Sequence, residues 1–253
     1  MRIFLVRHGE SNANVDWSEN TRNADATIEL TDKGHEQARA AGKFLSEWYA
    51  KYAGRQYPKI RLWHSPYLRA QQTADEIEAT ALAVPCDGTQ AEPRKIVSTR
   101  VEGERKPGES IFWDKREHFL LYEQAHGIYD GLSDEQRATE YPAEWAYYQK
   151  HKRDGMKVLA QLPLGESRIQ VATRIHQAFG TFHRDADKHN IEDIVVVGHG
   201  TTNRCFAFAW LHKPLSWLEK EPNPWNCSIR LIEDSIDRGY IFDGFKGGQH
   251  AGQ

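Results

Sequence analysis

Two histidines stand in matching contexts. Ile3-Phe4-Leu5-Val6-Arg7-His8-Gly9 is a short apolar run that ends in Arg-His-Gly, and Ile194-Val195-Val196-Val197-Gly198-His199-Gly200 is an apolar run that ends in Gly-His-Gly. Each pattern predicts a buried strand with an imidazole at its carboxyl end. The glycine after each histidine lets the backbone turn sharply or approach a ligand closely. A single unit of this kind is weak evidence, because a histidine packed at a strand end is ordinary. Two in one chain, one beside an arginine, point to a site. Neutral imidazole is a nucleophile for phosphoryl transfer, and a reference pKa of about 6.5 puts that form within reach near pH 7. The phosphoryl oxygens stay charged through the transition state, so the chemistry needs cations and N–H donors around them. Arginine suits this because its planar fork binds phosphate in bidentate fashion and stays charged. Arg7 adjoins His8, and Arg69 lies in Ser65-Pro66-Tyr67-Leu68-Arg69-Ala70-Gln71-Gln72-Thr73-Ala74, at the start of a predicted helix whose free N–H groups favour anions. The departing alkoxide also needs a proton from a carboxylic acid or a histidine. Composition alone does not choose among 36 acidic residues.

These residues need elements to carry them. Ile3–Val6, Lys59–Trp63 and Ile194–Val197 read as strands, and the last, apolar throughout, suits a central strand covered on both faces. Thr31 reads as the N-cap of a helix with Asp32 complementing its dipole, and Ala38, Ala41, Phe44, Leu45, Trp48 and Tyr52 form its apolar stripe. A second helix runs from Tyr67 to about Ala83. Helical patterns return over Asp134–Arg153 and Ser167–Asp187, and Ser228–Ile232 with Tyr240–Phe242 can close the sheet as a hairpin. The alternation predicts a three-layer α/β/α sandwich: a mostly parallel sheet with helices on both faces. In such sheets ligands bind beyond the carboxyl ends of the strands, which is where both histidines fall. The stretch from about 86 to 120 is less regular and reads as an insertion over the active-site end. Seven basic residues (Arg94, Lys95, Arg100, Arg105, Lys106, Lys115, Arg116) fall within 94–116, as a solvated loop or as contacts for an anionic substrate. Trp113, Phe119 and Tyr122 could line the mouth, although local packing is the commoner use of such aromatics.

The totals bound the answer. The chain has 253 residues, enough for one α/β domain over 1–243, with a Gly-rich tail over 244–253 that should fray. A formal net charge of -3 gives no sign of a nucleic-acid partner. No apolar run approaches the roughly 18 residues of a membrane span, and the amino terminus lacks the features of a secretory signal, so the expected location is the cytosol. Cys86, Cys205 and Cys227 are widely spaced and read as reduced thiols. Oligomeric state is not set; a homodimer is left open.

The motifs, taken in order, resemble the histidine phosphatase superfamily, the phosphoglycerate-mutase-like proteins. They are Leu5-Val6-Arg7-His8-Gly9-Glu10-Ser11 with Asn14; Leu30-Thr31 with Gly34 and Gln37-Ala38; Ser65 to Ala74; Glu123 followed by Gly127 and Gly131-Leu132; Gly165-Glu166-Ser167; and Val197-Gly198-His199-Gly200 with Arg204. They span roughly residues 2–232. The resemblance implies that His8 is the phosphohistidine nucleophile, that Arg7, Arg69 and His199 bind the phosphoryl group, and that Glu123 protonates the leaving group. It implies that Asn14, Gly200 and the backbone at Thr201 or Thr202 line the phosphate pocket, with no metal and no organic cofactor. Glu10, Glu109 and Asp130 remain rivals for the acid, and His126 reads as structural or pocket-lining.

Hydrolases and mutases of that family differ in what attacks the phosphohistidine. The metabolic mutases carry a Phe-Thr-Gly-Trp stretch after the first motif, whereas this chain has Trp17-Ser18-Glu19-Asn20-Thr21-Arg22-Asn23-Ala24. The expectation is therefore a phosphatase acting on a small phosphorylated metabolite such as a sugar phosphate, with a mutase as the alternative. A catalytically dead binding module would be expected to lack a core residue, and Arg7, His8, Arg69, Glu123 and His199 are all present. A metal hydrolase is disfavoured because twelve histidines include no HExxH and no clustered ligand set.

Overall fold

The computed structural model describes residues 1–52, 58–83 and 108–246. Six strands form one sheet: β1 (Arg2–Arg7), β2 (Ile60–His64), β3 (Phe112–Glu117), β4 (Asp193–Gly198), β5 (Ile229–Glu233) and β6 (Ile236–Phe242), in the order β3-β2-β4-β1-β5-β6. β1 to β4 pair in parallel, and β5 and β6 close one side as an antiparallel hairpin. β4 is central, as its continuous apolar run predicts.

Alternation along the central strands sorts their side chains to two faces. Ile3, Leu5, Ile194 and Val196 bury against α7 (Arg168–His189) and α8 (Gly200–Trp210), through Val171, Ile175, Phe179, Phe182 and Phe206. Phe4, Val6, Val195 and Val197 bury against α3 (Asp32–Tyr52) and α4 (Leu68–Thr80), through Ala38, Ala41, Leu45, Ala74 and Ile77. Helices thus cover both faces, and the α/β/α expectation holds. Shorter helices complete the chain: α1 (Asn12–Val15), α2 (Glu19–Arg22), α5 (Asp134–Glu140), α6 (Pro142–Arg153) and α9 (Leu215–Lys220). Thr31 caps α3 as read, its Oγ1 accepting from the Gly34 N–H at 3.0 Å, and Ser167 caps α7 in a reciprocal box with Gln170.

Several local readings change. Phe112–Glu117, placed in the irregular insertion, is the edge strand β3; Asp114, Lys115, Arg116 and Glu117 hide it from an apolar pattern, and charges are how edge strands avoid mispairing. Lys115 bonds to Asp75 and Glu78, and Arg116 to Asp185 at 2.8 Å, so these two basic residues serve the scaffold. The other five basic residues, Arg94 to Lys106, lie outside the described residues. Pro142 splits Asp134–Arg153 into two helices because it offers no N–H and suits a first turn. Trp113 packs under Lys59 and Arg61, away from the carboxyl edge, while Phe119 is exposed. Gly244–Lys246 do not fray: the Phe245 N–H donates to the Asn226 carbonyl at 2.9 Å and its ring packs on Phe242.

Candidate active site

β1 and β4 lie side by side with Arg7 opposite Gly198. The next residue on each strand is a histidine, and their ring centroids are 5.2 Å apart. The His8 N–H donates to the Gly198 carbonyl at 2.9 Å, which ties the two turns together. β2, on the far side of β4, leads directly into Ser65, whose N–H donates to the Val197 carbonyl. Its Oγ accepts the Tyr67 N–H and meets His199 Nε2 at 2.7 Å.

Gly9 and Gly34 explain why this edge is rigid. A Cβ on Gly9 would strike the Gly34 carbonyl, and one on Gly34 would strike that of Glu10. The backbone after His8 therefore presses on the first turn of α3 as only glycine allows.

His8 is 4% exposed. Its Nδ1 lies 2.7 Å from the Gly9 carbonyl oxygen. That oxygen can only accept, so the bond fixes the hydrogen on Nδ1 and leaves the Nε2 lone pair free. Burial holds the ring's pKa well below its ordinary value, and Arg69 and Arg7 push it the same way. The imidazole is thus neutral, oriented and nucleophilic at Nε2. Burial also holds His199 well below the usual range.

Arg7 donates Nη1 to the Pro224 carbonyl at 2.5 Å. Burial pulls its guanidinium down to about 10, with Glu123 opposing and Arg69 reinforcing, so it stays cationic near pH 7. Its Nε is buried without a protein partner among the described residues, as is His199 Nδ1. Buried polar atoms are nearly always paired, so two orphans at one centre suit an anion shared between them. Arg69 Nη1 is held by the Asp25 carboxylate at 2.8 Å and the Asp25 carbonyl at 2.6 Å. Asn14 accepts at Oδ1 from the Ser11 N–H and Asn226 Nδ2, both at 3.1 Å, and Asn226 Nδ2 also donates to the His8 carbonyl. Asn226, which no motif brought out, and Ser65, which opens its motif but was given no role, are positioning residues.

Glu123 reaches the same edge by crossing the start of α8. Its Oε1 accepts from the Gln124 and Thr202 N–H groups at 2.8 and 3.1 Å, and its Oε2 from the Thr201 N–H at 3.1 Å. The expected phosphate-binding amides of Thr201 and Thr202 are therefore engaged by the carboxylate instead, which acts as an N-cap from outside the helix. Oε2 has the fewer donors and is the oxygen with room for a transferable proton. Arg174 holds the segment in place, donating to the Leu120 and Glu123 carbonyls while paired with Glu166 at 2.8 Å. Gly200 packs against the Asn223 side-chain amide, which would have to shift to admit a Cβ.

Among the rival acids, Glu10 is bound to Lys33 at 2.8 Å and Thr31 at 3.1 Å. Glu109 precedes β3 and so lies at the amino edge of the sheet, opposite the histidines. Asp130 lies nearer: burial raises its pKa, with His126 and Arg69 opposing and Asp25 reinforcing. Tyr67 packs edge-on to His199 and stacks toward Tyr122, which lies under Arg174.

A cavity of about 450 Å³ opens beside this centre, lined at its inner end by Glu123 and Thr201 and walled by Trp17, Tyr129, Trp145 and Tyr148. His8, Arg7, Arg69 and His199 do not line it. Among the described residues no group of three or more His, Cys, Asp or Glu could hold a metal ion, and no helix is long and apolar enough to cross a membrane.

A neutral imidazole with a free Nε2 lone pair between arginines, at the carboxyl edge of a parallel α/β sheet, is an arrangement suited to handling phosphoryl groups. Residues 3–89 and 114–241 match the family described as histidine phosphatase superfamily (branch 1), and the chain belongs to that superfamily. It is 28% identical over 239 residues to the phosphoglycerate mutase-like protein AT74 of Arabidopsis thaliana, covering 92% of this chain and 64% of that one. It is 25% identical over 230 residues to a 6-phosphofructo-2-kinase/fructose-2,6-bisphosphatase of Caenorhabditis elegans, covering 90% of this chain and 38% of that one. The fold is also that of a mycobacterial glucosyl-3-phosphoglycerate phosphatase, with a TM-score of 0.59, 20% identity, and 97% and 99% of the two chains covered.

Proposed function

We propose that this chain is a metal-independent phosphomonoester hydrolase that works through a phosphohistidine on His8, on a small phosphorylated metabolite such as a sugar phosphate. The observation that carries this reading is the His8 Nδ1 bond to the Gly9 carbonyl, which leaves Nε2 as a lone-pair donor inside a cationic shell. His8 Nε2 attacks phosphorus, the P–N bond forms, the P–O bond breaks, and the leaving oxygen takes the proton from Glu123 Oε2. Arg7, Arg69 and His199 hold the three peripheral oxygens through the transition state. Water then attacks the phosphohistidine, Glu123 takes its proton, and inorganic phosphate leaves His8 neutral again. The charges of Arg7 and Arg69 at the phosphoryl group supply the neutralisation that a metal supplies elsewhere.

The test is phosphate release from a panel of phosphomonoesters in EDTA, wild type beside His8→Ala, with acid-stable and acid-labile phosphoenzyme distinguished. Release that vanishes in His8→Ala, with an acid-labile phosphoenzyme in wild type only, is the expected outcome. Turnover in His8→Ala near the wild-type rate would sink it. Isomerisation of 3-phosphoglycerate primed with 2,3-bisphosphoglycerate, without release, would make the chain a mutase instead.

A further inference from the structure

Seven arginines are buried among the described residues: Arg7, Arg61, Arg69, Arg168, Arg174, Arg204 and Arg230. Four have a carboxylate partner, Arg61 with Asp185, Arg69 with Asp25, Arg174 with Glu166, and Arg230 with Glu221 and Asp237. Arg7, Arg168 and Arg204 form no ion pair with a described residue. Arg7 belongs to the reaction centre. Arg168 and Arg204 both line the cavity beside it, together with Lys157.

A fourth cation of the lining, Arg137, pairs with Asp134, and the other three sense one another. Burial lowers Lys157 to about 8, with Arg168 next in effect and Lys152 and Arg204 adding to it. Burial lowers Arg204 to about 10, and Arg168 again adds to the fall. The acidic neighbours do not neutralise them. Glu219, which opposes the shift at Lys157, spends Oε1 on the Val158 N–H at 2.7 Å. Glu123 is engaged by the α8 amides, and Asp134 at the rim pairs with Arg137. Arg204 donates to the Gly200 and Glu221 carbonyls and to Thr201 Oγ1, and Arg168 makes no side-chain hydrogen bond with a described residue, although it is 8% exposed. Glu135, also in the lining, accepts from Ser133 Oγ at 2.8 Å. Burying three like charges beside carboxylates that are engaged elsewhere is unfavourable, so such a group suits an anionic ligand that restores the balance. Glu123 places the leaving alcohol at the mouth of this cavity, whose size falls within the roughly 300–1,000 Å³ of small-molecule sites.

We propose that Arg168, Lys157 and Arg204 form a second anion subsite, and that the substrate is a phosphomonoester whose leaving alcohol carries a further carboxylate or phosphate. The aromatic wall of Trp17, Tyr129, Trp145 and Tyr148 covers the body of that alcohol. This inference rests on the hydrolase reading, since Glu123 as the leaving-group acid is what orients the ester.

The test compares matched esters: 3-phosphoglycerate against glycerol 3-phosphate for a carboxylate, and glucose 1,6-bisphosphate against glucose 6-phosphate for a phosphate. Wild type should favour the ester with the second anion by about tenfold or more in kcat/KM in at least one pair, the scale of a charge-assisted hydrogen bond. Which pair shows it identifies the second anion. Arg168→Gln and Lys157→Gln should each cut that ratio by about tenfold, and Arg168→Lys by less. A misfolded fraction lowers both members of a pair equally and leaves the ratio alone. Calorimetric binding of the preferred ester to His8→Ala, with and without Arg168→Gln, reads the subsite without turnover. If wild type shows no preference in either pair, or if Arg168→Gln changes neither ratio nor binding, the subsite is refuted while the hydrolase reading stands. If no ester is hydrolysed but 3-phosphoglycerate or glucose 1,6-bisphosphate binds through Arg168, the hydrolase reading fails and the subsite survives.

Discussion

Arg61 and Arg7 are both buried arginines carried by the parallel sheet, and they do opposite jobs. At the amino end of β2, Arg61 is 0% exposed and meets Asp185 at 2.8 Å and Asp114 at 2.7 Å, while Arg116 meets the same two carboxylates. Every charge there has a partner, and the group locks the edge strand β3 to α7. At the carboxyl end of β1, Arg7 has carbonyl contact only and an unpartnered Nε, beside a histidine that burial and two arginines keep neutral. Of these two, the arginine whose charge is answered within the chain is structural and the one whose charge is not is suited to a ligand. The site holds an unspent electrostatic potential, and matched ion pairs elsewhere keep the scaffold rigid around it.

That contrast can be broken from either side. The largest expected effect is on activity: Arg7→Gln and Arg69→Gln should each lower kcat by about 10²–10³-fold, the cost of losing one transition-state donor, with little change in melting temperature for Arg7→Gln and a modest fall for Arg69→Gln, which also leaves Asp25 unpaired. Phosphate release and thermal melts on the same samples decide this; activity lost only in step with stability would make these arginines structural. Asp185→Asn should do the reverse. It strips Arg61 of the carboxylate that it grips through both Nε and Nη2, so urea denaturation should show a loss of about 3 kcal/mol, with kcat/KM per folded molecule retained. A near-neutral result would mean that Asp114 alone satisfies Arg61.

The smallest effect is in the pH dependence. His8 and His199 have folded pKa values below their unfolded value of about 6.5, so the unfolded chain binds more protons as pH drops. Their contribution to stability is complete above about pH 6.5 and is lost as pH falls below it toward the folded values. Denaturation midpoints from about pH 7.5 to 5 should therefore fall less steeply in His8→Ala than in wild type. Equal slopes would contradict the neutral, buried imidazole.

Much of the centre was legible before any coordinates. His8 and His199 showed themselves because a strand that ends in His-Gly is a local pattern, and Thr31 showed itself as a cap for the same reason. Glu123 needed the resemblance, since its segment is irregular and its partners, Thr201 and Thr202, lie far along the chain. β3 escaped because an edge strand built from Asp114, Lys115, Arg116 and Glu117 has no apolar period. Tyr49 was missed on α3: it is fully buried, with its hydroxyl 3.1 Å from Asp193, and it shares the inward face with Leu45. Arg174 gave no signal, because one arginine inside an amphipathic helix looks like a solvated one until its partner Glu166 is seen beside it.

The sequence by itself determined which strands carry the chemistry and which residues end them, because hydrophobic period, caps and glycine turns act over a few residues. The tertiary structure alone decided that β1 and β4 are neighbours in register, which sets His8 beside His199. It alone decided that Glu123 closes the start of α8, and that Arg168, Lys157 and Arg204 share a cavity in which none of them forms an ion pair with a described residue. Charge balance is a property of distance in space, and residues far apart in the chain acquire it only when the sheet brings them together.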